Sequence, residues 1–443
     1  MNDSSIVGKI LIVGKLILKS PLLIGDGAGE TAENFRDVHV LKNQSDKPFI
    51  PGTSLCGVLR DWLENISPQW TTKIFGDMAE MQSSIQLDDI ELTGSKIIAR
   101  DGVRIDDLTG TGSDGGKYDF EVVDRGATGN LRLLINLRAR HIAGKNSSLE
   151  EIFAVISRLL QKLQSGIRLG ALTSKGFGLV AVENLDASFF DFRNPNDVEA
   201  WLLTESAAKK ILPSTSEISA SPKDFVVDAN FAFKSSFIIR DYEVDKTDKK
   251  LNVSAVTMRS GNDFVVPGTS LKGILRHHAE YILRKLGVKN FVGDLMGTTT
   301  NKSRFIVEES YVAPKNFSEV VHTRNKIDRF TGGTLQGTLF TTKPLYQKIP
   351  AEPALKLRFE IREAKDFEAG LALFLLRDLW LGRVAVGGEK SIGRGTVNGL
   401  SAEINFAGKT FKLDSAGKVL VGDAAELESF ATALKNFAGG DGE

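Results

Sequence analysis

The feature that most constrains this chain is a pentapeptide that occurs twice. Pro51-Gly52-Thr53-Ser54-Leu55 returns as Pro267-Gly268-Thr269-Ser270-Leu271, 216 positions on (267 − 51). Both copies continue alike, as CGVLRDWLE and KGILRHHAE. A glycine-rich stretch closes each half, Ser174-Lys175-Gly176-Phe177-Gly178 and Ser391-Ile392-Gly393-Arg394-Gly395, offset by 217 (391 − 174). Between these landmarks lie Arg104-Ile105-Asp106 and Lys326-Ile327-Asp328, offset by 222 (328 − 106). Three landmarks in one order at nearly constant spacing mark a tandem duplication.

The duplication sets the domain reading: a first domain over 1–188, a linker over 189–224, a second domain over 225–400, and a C-terminal extension over 401–443. Pro213 to Pro222 is polar and rich in serine, as expected of a linker. In each half a loosely alternating strand comes first, at Ile10 to Leu18 and at Phe231 to Ile239. After PGTS the apolar positions Leu55, Val58, Leu59 and Trp62 fall at helical spacing, as do Leu271, Ile274, Leu275 and Ile282. Thr53 or Ser54, and Thr269 or Ser270, suit the helix N-cap. A second helix is expected from Leu149 to Gln164, stopping at Gly166, and again from Phe367 to Leu381, stopping at Gly382. Strands at Leu131 to Leu137 and Leu355 to Ile361 fill the middle. Within the extension, Lys409 to Leu413 reads as strand and Ala424 to Phe437 as helix. The expected fold class is α+β: two tandem ferredoxin-like domains, the architecture of RNA-recognition motifs.

Composition narrows the function. Lys plus Arg equals Asp plus Glu at 56 each, which argues against a protein that coats nucleic acid through a large positive field. A local basic groove remains open. No run approaches the ~18 apolar residues of a membrane span, and MNDSSIVGK lacks a signal-peptide pattern. The single cysteine, Cys56, excludes an intramolecular disulfide and a multi-thiolate zinc site. A cytoplasmic location is the expectation.

The PG[ST]SL[KC]G helix start, the [RK]ID stretch and the SxGxG loop, in that order and twice over, resemble the RAMP superfamily. The tandem arrangement is similar to the two-domain backbone subunits of III-D-like type III CRISPR effectors. That resemblance implies binding of a guide RNA along a helical assembly. The implied partners are target RNA, a large polymerase-like subunit, other RAMP subunits and a small subunit, with no membrane. Some members cut target RNA with a loop aspartate and a divalent metal, Mg2+ or Mn2+. Asp37 lies at the matching place, 14 residues before Pro51 (51 − 37), and is the implied catalytic residue and metal ligand. The same count back from Pro267 reaches Val253, so the second copy departs from the pattern. Asp245, in a loop that also holds Asp241 and Asp248, is the expected second cutting residue by its place in the loop.

The residues are chemically apt. Glycines let a backbone approach phosphate, with Arg168, Lys175, Lys390 or Arg394 supplying charge beside Ser174, Gly176, Ser391 and Gly393. A tight turn is the ordinary alternative. Helix starts at Thr53-Ser54 and Thr269-Ser270 present unpaired N–H groups, and Arg60, Lys272 and Arg276 extend a basic side. Arg36 and His39 flank Asp37 and are placed to steady charge on a phosphorane. The segments at Arg104 to Gly110 and Lys326 to Gly332 resemble the family's inserted thumb hairpin, which implies that Ile105, Ile327 or Phe330 wedges between bases; a plain surface hairpin is the alternative there. Two functions follow from these expectations, a metal-dependent endoribonuclease and a non-catalytic guide-binding module. A guide-trimming nuclease would want a histidine with tyrosine or lysine nearby, and in sequence His141 and His322 each stand alone.

Overall fold

The computed structural model describes residues 5–27, 38–77, 81–106, 112–142, 148–205, 209–214, 223–241, 253–288, 291–298, 300–350 and 352–440. The chain divides into two compact units. One comprises Met1–Thr173 and Phe177–Ile218, the other Ser174–Gly176 and Ser219–Glu443.

The first unit is built on β1 (Ile6–Leu18), α1 (Gly52–Ile66), β2 (Ile85–Leu87), β3 (Thr128–Arg138), α2 (Leu149–Ser165) and β4 (Leu179–Asp191). Its antiparallel sheet runs β4-β1-β3-β2, the order of a ferredoxin-like split βαβ unit. Period-2 alternation sends Ile10 and Ile12 to one face, where α1 buries Leu55, Leu59 and Leu63 and α2 buries Ile152, Ile156, Leu159 and Leu163. Each such side chain contributes ~1.5–3 kcal/mol on leaving water. Ser148 Oγ accepts the Glu151 N–H at 3.2 Å and starts α2; Gly166, at φ 108°, ends it.

The expected linker is partly folded. β4 runs through 189–191, α3 (Pro195–Leu203) follows, and Lys209–Lys210 pairs with Phe189 and Ser188 at the sheet edge. The reason is apolar. Leu11, Leu134 and Phe190 project from the sheet face opposite α1 and α2, and Trp201, Phe192 and Ala200 cover them. The Trp201 and Phe190 rings meet edge to face at 5.2 Å.

The second unit repeats the plan with β5 (Phe225–Phe233), α4 (Gly268–Lys285), β6 (Phe305–Val307), β7 (Leu355–Ile361), α5 (Asp366–Trp380) and β8 (Val397–Phe406), in sheet order β8-β5-β7-β6. The strand expected at Phe231 to Ile239 instead begins at Phe225 and ends at Phe233. Phe237 forms its own bridge to Leu345, its ring stacked 4.0 Å from Phe233. The extension adds β9 (Lys409–Leu413) and β10 (Val419–Val421) to the sheet, and α6 (Ala424–Gly439) packs on α5. That packing is close: a Cβ on Gly370 would lie 2.1 Å from the Phe430 carbonyl oxygen. No helix among the described residues is long and apolar enough to cross a membrane.

Candidate nucleic-acid interface

A ferredoxin-like sheet offers an obvious RNA platform on its helix-free face, where RNA-recognition motifs stack bases on aromatic rings. Neither unit leaves such a platform. In the first, α3 covers that face. In the second the face carries Asp228 and Asn230 of β5, Lys356, Arg358 and Glu360 of β7, and Glu403 of β8. These are tied by ion pairs: Asp228 to Arg358 and, at 3.4 Å, to Lys356; Glu403 to Lys412 at 3.1 Å.

The helix starts differ from expectation. The N-caps are Pro51 and Pro267, with φ of −58° and −61°, and no side-chain hydroxyl caps either helix. Thr53, Ser54, Thr269 and Ser270 thus lie one residue or more inside the first turn. The glycine after each proline is required by packing, since a Cβ on Gly52 would sit 2.3 Å from the Leu87 carbonyl oxygen, at the end of β2. At α1 the Gly52 N–H already donates to Asp89 Oδ1 at 2.7 Å, so an internal carboxylate meets that helix end. Arg60 is exposed. Lys272 is not: it is 5% exposed, and its Nζ donates to Ser303 Oγ (2.7 Å), the Phe305 carbonyl (2.8 Å) and Ser174 Oγ (3.0 Å). Burial first, then Lys175 and Arg276, pull its ammonium down to about 7. Lys272 fastens backbone rather than lining a surface, because its long stem folds along the core face of α4. Arg276 is half-buried and donates to the Gly297 carbonyl at 2.9 Å and Glu280 at 3.2 Å.

The glycine-rich stretches follow short 3-10 turns, Thr173–Lys175 and Lys390–Ile392. Their last glycines do the same structural task. Gly178 and Gly395 have φ of +75° and +77°, and a Cβ on either would lie 1.9 Å from a carbonyl oxygen, of Leu169 and Val386 respectively. Lys390, Ser391 and Gly393 are exposed, whereas Gly176 is buried and Ser174, Lys175 and Arg168 are half-buried. Arg168 Nη1 donates to the Phe177 carbonyl at 3.4 Å.

Arg394 turns inward, against expectation, with 4% exposure. Its Nε donates to Glu389 Oε2 (2.7 Å), Nη1 to Ser236 Oγ (2.6 Å), and Nη2 to His322 Nδ1 (3.2 Å). The cause is Glu389, whose carboxylate is 4% exposed and also takes Arg324 at 2.6 Å and Arg240 at 3.1 Å. Burial alone would raise the Glu389 carboxyl. Hydrogen bonds from Arg324 and Arg240, with the charges of Arg324 and Arg394, outweigh it and hold the group below its ordinary value. Because a guanidinium only donates, His322 Nδ1 accepts, and the ring proton sits on Nε2, 3.3 Å from Tyr346 Oη. Arg240, Arg324, Tyr346 and Glu389 were not singled out in sequence, and His322, which stands alone there, has the Tyr346 hydroxyl 3.3 Å away. Arg240 and Glu389 are 149 positions apart, and only the unusual Glu-Lys before SIGRG hints at the cluster.

The two thumb segments differ. In the first unit Ile97–Ile105 pairs with Gly112–Val123, and Ile105 is 51% exposed. In the second, Asp328 Oδ1 accepts the Phe330 N–H at 2.7 Å and the Thr331 N–H at 3.1 Å, which holds its carboxyl below the ordinary value. Phe330 is fully exposed at this turn, and Ile327 is 58% exposed. Arg36, Asp37 and Asp245 lie outside the described residues. Among the described residues no three histidine, cysteine or carboxylate side chains converge as a metal-holding set.

The RAMP superfamily sequence pattern matches residues 15–181 and 230–398, more than half of the chain and one stretch in each repeat. No curated protein sequence matches. Among solved structures, the chain is similar to a subunit of a complex described as type III-B Cmr-beta bound to cognate target RNA, determined by cryo-electron microscopy. Identity is 16% and the TM-score 0.31, over 40% of this chain and 60% of that one.

Proposed function

Because the chain belongs to the RAMP superfamily, in both of its repeats, we propose that it is a backbone subunit of a type III CRISPR effector that binds guide RNA and cuts the paired target RNA. The observation that carries this is the family match over two tandem regions in one chain. Guide RNA, target RNA, a large polymerase-like subunit, other RAMP subunits and a small subunit are the proposed partners. The guide's phosphates would meet exposed Lys390, Ser391 and Gly393, beside Arg240 and Arg324, leaving bases free to pair. Phe330 is the proposed wedge of the second thumb, since its ring is fully exposed on a turn fixed by Asp328.

Cleavage is assigned to Asp37. Its carboxylate would take a proton from the attacking 2′-hydroxyl or hold Mg2+ or Mn2+ together with RNA oxygens. When bound, such an ion would neutralise phosphate charge. A second cut is assigned to Asp245. One observation favours an architectural second half instead: the place that matches Asp37 by count is Val253. The test is Asp37→Ala in the assembled ribonucleoprotein. Guide RNA should co-purify as before while one target fragment disappears; an unchanged fragment pattern refutes the assignment. Asp245→Ala separates one cutting half from two.

A further inference from the structure

Beside the Glu389 cluster the second unit has a cleft of about 340 Å³ that the reading above leaves unused. Its wall includes Phe233, Lys234, Ser235, Tyr346, Pro350 and Asn398. The size lies at the low end of the ~300–1,000 Å³ typical of ligand pockets, room for one small flat group. Tyr346 is 36% exposed and is the shared element: it lines the cleft, and its hydroxyl meets His322 Nε2, whose other nitrogen receives Arg394. Three guanidiniums around one carboxylate lie at the far end of that chain.

We propose that this cleft seats one unpaired ribonucleotide, its base against the Tyr346 ring and its phosphate toward Arg240 and Arg324. The proposal rests on the RNA-binding reading above and adds a base-holding site to it. Three features of the site fit a nucleotide better than a peptide or a free anion. The ring gives an apolar face on which any base stacks. Lys234 and Asn398 offer donors and an acceptor to base edges at the rim, and the Ser235 hydroxyl, which donates to the Ser236 carbonyl at 3.3 Å, offers an acceptor; Gln347 is already committed, accepting the Phe233 N–H at 2.7 Å and donating to the Ile349 and Glu352 carbonyls at 2.6 and 2.7 Å. The His322 Nε2–H occupies one side of the tyrosine oxygen and so fixes the ring's tilt, 39° to the imidazole. The paired strand of a duplex cannot enter such a cleft, so the seated base must be one that is unstacked or flanks a paired segment.

The experiment uses the full chain and a 4-thiouridine-containing single-stranded RNA of mixed sequence. Crosslinked peptides are mapped by mass spectrometry and affinity is measured by fluorescence anisotropy. The expected result is a crosslink on the peptide holding Tyr346. Tyr346→Ala should lose that crosslink and bind about tenfold more weakly, while Tyr346→Phe should keep both. Ser235→Trp, which fills the cleft from its rim, should act like Tyr346→Ala and guards against a folding defect in that variant. RNA that binds and crosslinks elsewhere, with wild-type affinity in Tyr346→Ala and Ser235→Trp, overturns the site alone. RNA that does not bind the wild-type chain overturns the RNA-binding reading with it.

Discussion

Glu389→Gln is the sharpest test of how the second glycine-rich loop is held. The substitution keeps shape and one acceptor but removes the carboxylate paired with Arg394, leaving a guanidinium 4% exposed without that counter-charge. Breaking one partner of a buried pair costs ~3–5 kcal/mol. Arg240 is partly exposed at 43% and regains water, so it adds little. With a urea slope of ~2–3 kcal/mol per molar for a unit of this size, the midpoint should fall by about 1–2 M. Two units need not unfold together, so the readout should be peptide-resolved hydrogen exchange in urea, following Phe225–Phe233 and Val397–Phe406. The sign of the pH effect follows from the depressed Glu389 carboxyl. Its contribution is full above the ordinary 4.5 and is lost as pH falls through the lower folded value. The variant should therefore lack that part of the acid limb. A midpoint shift under about 0.3 M, equivalent to less than ~1 kcal/mol, would show that the three arginines do not depend on Glu389 and refute the reasoning.

Other outcomes follow from single residues. Gly178→Ala and Gly395→Ala should each lower stability by more than ~3 kcal/mol, read as similar melting-temperature losses, because both add a Cβ at 1.9 Å from a carbonyl at positive φ. His141 is 2% exposed and held at about 4, by burial first and then by Arg140, Arg138 and Lys73. Since the unfolded chain binds the proton first, the first unit should lose stability as pH falls from 6.5 to about 4, by about 3 kcal/mol, and His141→Asn should flatten that slope in acid denaturation. Phe330→Ala should leave folding unchanged within ~0.5 kcal/mol, as the ring is fully exposed, yet reduce target cleavage in the assembled complex by more than tenfold; unaltered cleavage would remove Phe330 as the wedge.

Much of the fold was legible because its signals are local. The helices at Leu149–Ser165 and Asp366–Trp380 announce themselves by apolar spacing and by Gly166 and Gly382 beyond their ends. Repetition then gives the split βαβ order. What stayed hidden was set by contacts across long sequence distances. No local pattern says that Trp201 lies over Phe190 and closes a sheet face, or that Asp89 meets the start of α1. The site was legible only in part for the same reason. Basic residues in a repeated loop look alike in sequence, yet Lys390 faces solvent while Arg394, four positions on, turns inward to Ser236 and His322, 158 and 72 positions away. PGTSL reads as an N-cap motif, whereas proline caps and glycine yields to a passing carbonyl.

The duplication preserves a backbone crossing more strictly than it preserves charge. In the first unit Leu169 N–H donates to the Gly178 carbonyl at 2.9 Å, and Gly178 N–H donates to Pro21 at 2.7 Å. In the second, Val386 donates to Gly395 at 2.9 Å, and Gly395 to Ser236 at 2.8 Å. Four backbone groups and one forbidden Cβ thus specify the same crossing twice, whatever side chains stand beside it. The residue between the two closing glycines is free to diverge: Phe177 in one copy packs its ring 6.0 Å from Phe120, and Arg394 in the other anchors an ion cluster. A shared backbone frame with unlike centres is what a two-domain subunit needs if its halves hold successive stretches of one strand but do different work on them. On that argument, exchanging Phe177 for Arg should not transfer the second loop's behaviour to the first. Of the partners that Arg394 uses, Glu389 stands in its own loop, five positions before it, but Ser236 and His322 come from distant parts of its own unit, 158 and 72 positions away.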